Sequence, residues 1–304
     1  MNQTVLFYGN EDVLSSLFKK GSETDVRYYN YKIAGNEVTF LFPFKFPERI
    51  QPLVNACSVA NKAILAVDQL DKSVGEFILS LDYYDIKNLG FIGDEGIYNQ
   101  IKKLVLPIAV NVSKITPRLE DFEQFVSLQN QNPVNGSVVV IDQSFPVKGV
   151  GTVSLGFVLG GQVKKHMVMK SYPSGKNVDI KNIQVMDVDM ESAGPFSRVG
   201  LAYRNTEVED VPKGTVLYDL ESVNFVESIR LRVRKNPTVK ISPSLGDKVQ
   251  LNFLFNNINA EISDISEDQY LLDLDRKAPL LDAAYSITNL NSTPRILGAG
   301  KPVY

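Results

Sequence analysis

The stretch "IDQSFPVKGVGTVSLGFVLGGQVKK", residues 141–165, has apolar residues recurring at a period of two in runs of strand length, broken by Gly, Pro and Ser. The following "HMVMKSYPSGKNVDIKNIQV", residues 166–185, continues the pattern with almost no helical periodicity. Short strands separated by turn residues predict a β-barrel or sandwich, and the pattern runs on to the C-terminus. The glycines of "GVGTVSLGFVLGG" suit bends and close backbone approaches in a small closed barrel. Their spacing also resembles a dinucleotide-binding loop, but no strand–turn–helix context follows, which argues against that reading.

Upstream the period changes. "TVLFY" (residues 4–8) reads as a strand and residues 11–19 as a helix, with "VRYYNYKI" (26–33) and "EVTFLF" (37–42) as a strand pair. A helix through "RIQPLVNACSVAN", the buried strand "AILAVD" (63–68), a helix over 74–84 and the strand "NLGFIG" (88–93) follow. "KKLVLPIAVNV" (102–112) is assigned to one more strand and "RLEDFEQFVSL" (118–128) to a helix. This alternation predicts a largely parallel sheet covered by helices. The polar tract "QNQNPVNG", residues 129–136, has linker chemistry, and a second β unit is expected to begin near Glu221. The expected domains are therefore 1–133, 134–220 and 221–304.

A chain of 304 residues suits two or three domains. No segment combines the length and apolarity needed to span a bilayer, and the first residues lack a secretion signal. The single cysteine, Cys57, rules out an intrachain disulfide and agrees with a reducing cytoplasm. His166, the one histidine, is expected on the surface or in a turn, so neither a metal nor a cofactor is predicted. The basic and acidic totals are close in each expected domain: 13 Lys/Arg against 16 Asp/Glu in 1–133, 9 against 9 in 134–220 and 10 against 10 in 221–304. That balance argues against indiscriminate high-affinity nucleic-acid binding.

The segments "IDQSFPVKGVGTVSLGFVLGGQVKK", "PSGKNVDIKNIQV", "GPFSRVGLAYRN" (194–205) and "VPKGTVL" (211–217) resemble the second-domain barrel of translational GTPases. The likeness is to elongation factor SelB, with elongation factor Tu and the archaeal initiation factor two gamma subunit as relatives. "NSTPRILGAGKPV", residues 291–303, resembles the closing strands of their third domain. The resemblance implies a multidomain α/β plus all-β chain: a P-loop GTPase-like α/β domain followed by two small β-barrels.

Read against the family, the chemistry of the first domain is altered. A phosphate loop reads G-x-x-x-x-G-K-[ST]. In "GNEDVLSS", Gly9 and Ser16 keep the outer positions, whereas Leu14 and Ser15 stand at the second glycine and the lysine. The resemblance places Phe42, Lys45 and Phe46 of "FPFKF" at the aspartate, glycine and histidine of the switch motif D-x-P-G-H. "GDEG" (93–96) stands where guanine is read by N-K-x-D. Phosphoryl transfer depends on positioned charges and Mg²⁺, so the expectation is a pseudo-GTPase, not an enzyme.

Phe40, Phe42, Phe44 and Phe46 alternate, which puts four rings on one face of an extended segment. Either they fill the place of the nucleotide and switch, or they form a stacking surface for unpaired bases near Lys45 and Arg49. Arg230, Arg232 and Arg234 of "SIRLRVRK" share one strand face opposite Ile229, Leu231 and Val233. That stripe reads equally as a phosphate-contacting surface or as a solvated face interleaved with Asp and Glu. Lys164, Lys165, Lys170 and Lys176 make a second cluster.

The resemblance implies a groove that receives an RNA end, either the 5′-triphosphate of an mRNA or a tRNA acceptor end, with mRNA protection or translation control as the outcome. The partners expected are RNA and the ribosome, with no membrane. The alternatives are a ribosome- or protein-docking factor without RNA-end binding, and a weak guanine-nucleotide switch. SelB relatives continue into a fourth domain where this chain stops at Tyr304, which argues against selenocysteine insertion.

Overall fold

In the computed structural model the described residues are 2–33, 35–128, 133–219, 223–236 and 239–303. The expected linker residues 129–132 and the boundary residues 220–222 lie outside them. No helix among the described residues is long and apolar enough to cross a membrane.

The first part is a seven-stranded sheet of β1 (Gln3–Gly9), β2 (Lys19–Glu23), β3 (Arg27–Ile33), β4 (Asn36–Phe42), β5 (Lys62–Ala66), β6 (Asn88–Ile92) and β7 (Asn111–Lys114). Its order is β2-β3-β4-β1-β5-β6-β7, and β1, β5, β6 and β7 run parallel to their neighbours. The connecting helices are α1 (Asp12–Ser15), α2 (Gln51–Cys57), α3 (Lys72–Tyr83), α4 (Glu95–Val105) and α5 (Leu119–Val126). Every residue of β5 is buried, as a central parallel strand covered on both faces requires.

Three sequence expectations are corrected here. The helix expected over 11–19 is a single turn: Ser15 and Ser16 turn their hydroxyls back onto Asp12 O and Val13 O. Phe18 then stacks on Phe40 at 4.4 Å and meets Phe122 edge-on, which draws the chain into β2. The strand expected over 102–112 is mostly the end of α4 and a short 3-10 turn, with β7 starting only at Asn111. Asp94 caps α4 by accepting from Ile97 N, and Ile97, Ile101 and Val105 repeat at helical spacing. The Phe40–Phe46 segment is not extended throughout: β4 ends at Phe42 and residues 44–48 turn, so the four rings share no face.

The middle barrel is built from β8 (Val138–Val147), β9 (Gly151–Gly160), β10 (Val163–Lys164), β11 (Val168–Tyr172), β12 (Asn177–Val185), β13 (Val188–Met190), β14 (Ser192–Ala193), β15 (Arg198–Arg204) and β16 (Val216–Tyr218). The ring β11-β16-β8-β9-β15-β12 closes through the β11–β12 pairing, and β13 extends β12. Val139, Ile141, Val158, Val178, Ile180, Val199 and Leu201 fill its interior. Gly156 is required by a close approach, since a Cβ there would lie 2.4 Å from Val140 O.

The last barrel closes in the order β17 (Phe225–Arg234), β20 (Gln269–Pro279), β19 (Asn256–Ser266), β18 (Lys248–Phe253), β21 (Tyr285–Thr288), β22 (Ile296–Pro302). Its β22 returns to β17, pairing Leu231 with Pro302.

The chain divides into two compact units. One holds the middle barrel with residues 1–4 and 32–39; the other holds the rest of the α/β domain and the last barrel. Within this second unit α3 is fastened to the last barrel. Arg295 donates from Nη2 to Glu76 at 2.5 Å and from its backbone N at 2.8 Å. Asn236 donates to Asp82 at 2.9 Å, and Tyr84 to Ser286 at 2.8 Å.

Candidate functional site

The C-terminal ends of β1 and β5 are where an open α/β sheet accommodates a ligand. Gly9 ends β1 at φ +120°, and a Cβ there would lie 1.8 Å from Ala66 O. The glycine thus serves the approach of β1 to β5, reinforced by Asn10 N donating to Ala66 O at 2.8 Å. Beyond it the loop satisfies itself. Asp12 N donates to Asn10 Oδ1 at 3.1 Å, Val13 N to Asn10 O, Leu14 N and Ser15 N to Glu11 O, and Ser16 N to Asp12 O. A phosphate-binding loop presents such amides outward to the anion; here the amides of residues 12–16 are engaged internally. Leu14 is fully buried.

Glu11 occupies the middle of this loop. Its carboxylate accepts from Arg27 Nη1 at 2.7 Å and from the Tyr29 hydroxyl at 2.6 Å. Burial, and then the bond to Glu11, raises the Tyr29 pKa far above the usual tyrosine range. Arg27 also donates to Glu23 at 2.8 Å, which raises its own pKa, and its guanidinium lies 4.1 Å from the Phe44 ring centroid. None of Glu11, Arg27 and Tyr29 stood among the predicted site residues. Only the acidity of the loop was visible in sequence, because the pairing depends on β3 lying across the loop.

Phe42 ends β4, and Lys45 and Phe46 sit in the turn that follows it. Phe46 is buried and meets Tyr8 at 4.9 Å, while Phe42 packs on Phe7 at 6.2 Å. The Tyr8 ring also stacks on Phe77, and its hydroxyl reaches Ser73, which donates to Asp71, the N-cap of α3. Three of the four phenylalanines are thus packing groups; Phe44 alone is half-exposed. Lys45 and Arg49 share the Asp25 carboxylate at 2.9 and 3.5 Å, with both cations still open to solvent.

The other predicted cations separate into paired and unpaired. Arg230 meets Asp264 at 3.0 Å, Arg232 meets Asp268 at 3.6 Å, and Arg234 meets Asp82 and Asp85 at 3.3 and 3.4 Å. The arginine stripe is therefore interleaved with acids, with Ile229, Leu231 and Val233 buried behind it. In the middle barrel Lys165 pairs with Glu191 and Lys176 with Asp210. Lys164 and Lys170 are exposed and make no side-chain bond among the described residues. His166 sits in a turn at φ +65°, with Nδ1 2.9 Å from Arg204.

A groove of about 810 Å³ runs beside α3, lined by Ile78, Leu79, Leu104, Ile108, Leu290 and the Glu76–Arg295 pair. Leu104 and Leu290 are each about half exposed (49% and 51%) and Leu106 is 80% exposed, more apolar surface than a solvated rim needs.

A GTPase-type α/β domain followed by two six-stranded barrels is the architecture of translation elongation factors. No family model matches the chain. An uncharacterized protein of Methanocaldococcus jannaschii is 29% identical over 313 aligned positions, covering 98% of each chain. The selenocysteine-specific elongation factor of the same organism is 25% identical over 271 positions, 80% of this chain and 58% of its own length. The elongation factor SelB of Methanococcus maripaludis, solved with the GTP analogue GPPNHP, superposes with a TM-score of 0.82 at 18% identity over 100% of this chain and 79% of that one. The chain is thus similar in sequence to the selenocysteine-specific elongation factor and shares the fold of SelB.

Proposed function

We propose that this protein is a non-hydrolysing pseudo-GTPase that holds an RNA terminus, an mRNA 5′-triphosphate or a tRNA acceptor end, in mRNA protection or translation control. The observation that carries the non-hydrolysing part is the self-satisfied loop. Its amides bond within the chain, and Glu11 supplies the anion that Arg27 and Tyr29 bind. A phosphate entering there would meet the Glu11 carboxylate, with Ser15 at the position of the loop lysine, which is unfavourable at any separation of a few ångströms. Terminal RNA phosphates fall instead to Lys45, beside the Phe44 ring, and Arg49, both partly exposed around the Asp25 carboxylate they share.

The test is a titration of one short RNA bearing a 5′-triphosphate or a 5′-hydroxyl, with aminoacylated and deacylated tRNA as competitors and GTP with Mg²⁺ as a control. Preference for the triphosphate that falls several-fold in Lys45→Gln/Arg49→Gln supports mRNA-end recognition, and preference for aminoacyl-tRNA supports the acceptor end. No discrimination among ends, or Mg²⁺-dependent GTP binding, overturns the reading. A second reading, docking to a ribosomal or other protein partner, is favoured by the apolar groove and its exposed Leu104 and Leu290. It predicts ribosome association that is lost in Leu104→Asp without any effect on free RNA.

A further inference from the structure

The middle barrel has balanced charge totals, yet some of its exposed lysines carry no ion pair among the described residues. Strands β11 and β12 pair so that Val168 faces Asp179 and Lys170 faces Asn177. By the two-residue period, residues 168 and 170 share an outer face with 177 and 179, and exposed Lys181 follows at the bulge between Ile180 and Asn182. Met169, Val178 and Ile180 point the other way into the core. Across the next pairing Asp179 lies opposite Arg204, which binds it at 3.2 Å and also reaches His166. Asp179 is thus already neutralised, and the face retains Lys170 and Lys181, both exposed. Lys164 stands at the turn that enters β11: Met167 N donates to Lys164 O, and Val163 turns inward to the core. Lys164, Lys170 and Lys181 make no side-chain ion pair or hydrogen bond among the described residues. Several other acids of the barrel are engaged by other groups: Glu191 by Lys165, Asp210 by Lys176, Asp142 by Arg198 and Asp189 by two side-chain amides.

We infer that this outer face of β11 and β12, with the turn at Lys164, is a contact surface for the phosphodiester backbone of RNA, separate in chemistry from recognition of the RNA end. It rests on the RNA-binding reading above and gives that reading a sequence-independent component. Its composition favours RNA over an acidic protein. Protein interfaces are depleted of lysine and anchored by aromatic and large apolar side chains. This face carries three unpaired lysines and one exposed aliphatic residue, Val168 at 54%. Lysine ammonium groups and a polar Asn177 suit phosphate oxygens, and such contacts displace counterions from the nucleic acid.

The experiment compares the full chain with a Lys164→Gln/Lys170→Gln/Lys181→Gln variant, following RNA affinity against salt for a single-stranded RNA with a 5′-triphosphate and with a 5′-hydroxyl. All three positions are exposed, and an unchanged thermal melt verifies folding. Each phosphate contact on a single strand contributes about 0.7 to the slope of log K against log salt. The variant should therefore lose about 2 from that slope, equally for both RNAs. An unchanged slope with end preference intact overturns this inference and leaves the end-binding reading standing. A reduced slope with no end preference in either protein supports the inference and sinks end recognition. If neither RNA binds, both fall. Polyglutamate binding that is lost in the variant while the RNA slope stays constant assigns the face to an acidic protein and overturns the inference as well.

Discussion

Replacing Glu11 by Ala tests whether the loop after β1 is held by the protein's own anion. The carboxylate accepts two charge-assisted bonds, from Arg27 at 2.7 Å and Tyr29 at 2.6 Å, and its pair with Arg27 is only about one quarter exposed on each side. Hydrogen bonds to a charged group contribute about 1.5–3 kcal/mol each, and the partial exposure places both near the lower bound, about 3 kcal/mol together. Arg27 keeps Glu23 at 2.8 Å and is not stranded. Tyr29, 2% exposed, loses its acceptor, and that unsatisfied hydroxyl adds to the loss. Glu11→Gln keeps one acceptor oxygen and should lose about half as much. The chain has 13 tyrosines and no tryptophan, so tyrosine fluorescence in a urea titration follows unfolding without a competing signal. Neither variant should acquire GTP affinity, because the amides of residues 12–16 remain engaged and no lysine enters the loop. Stabilities within about 0.5 kcal/mol of the parent, the ordinary range for surface substitutions, would refute the idea that Glu11 fills the site.

Two further outcomes are expected. Lys62 is fully buried at the start of β5 and donates to Val126 O and Leu128 O at 2.6 Å each, and burial depresses its pKa to about 8. Its folded pKa lies below the unfolded value of about 10.4, so the charged lysine costs stability below pH 8 and the cost is relieved as pH rises through that interval. Relative to Lys62→Met, the parent should therefore gain up to about 3 kcal/mol between pH 8 and 10.5, and parallel stability curves would count against it. Glu76→Gln breaks the pair with Arg295, whose side chains are only 10% and 18% exposed, and should destabilise the second unit by about 3–5 kcal/mol. Hydrogen exchange accelerating in α3 and β22 with β8–β16 unaffected is the expected pattern; exchange unchanged in α3 contradicts the clamp.

Much of this was legible along the chain. The period-two runs of residues 138–204 need no distant partner to declare themselves strands, because inward and outward residues alternate on a pleated backbone. The absence of a lysine from residues 9–16 and the phenylalanines at 42 and 46 are identities, readable without coordinates. Where the reading failed, a nearer signal had been overlooked or a distant one was needed. The Asp94 cap and the spacing of Ile97, Ile101 and Val105 mark α4 in the sequence itself, but the apolar run that follows drew the assignment toward a strand. The four phenylalanines alternate as a strand would, yet the chain turns after Phe42 and buries Phe46 against Tyr8.

The sequence by itself determined most element types, the barrel class of the second half and the lack of a lysine in residues 9–16, since these depend on local periodicity and residue identity. Only the tertiary structure decided which charges are spent. Arg230, Arg232 and Arg234 look like a free cationic stripe until Asp264, Asp268, Asp82 and Asp85 are folded against them, whereas Lys164, Lys170 and Lys181 remain unpaired among the described residues. Glu11 likewise finds Arg27 and Tyr29 only once β3 crosses the loop. An ion pair is a property of two positions brought within about 4 Å, and chain order does not specify that distance.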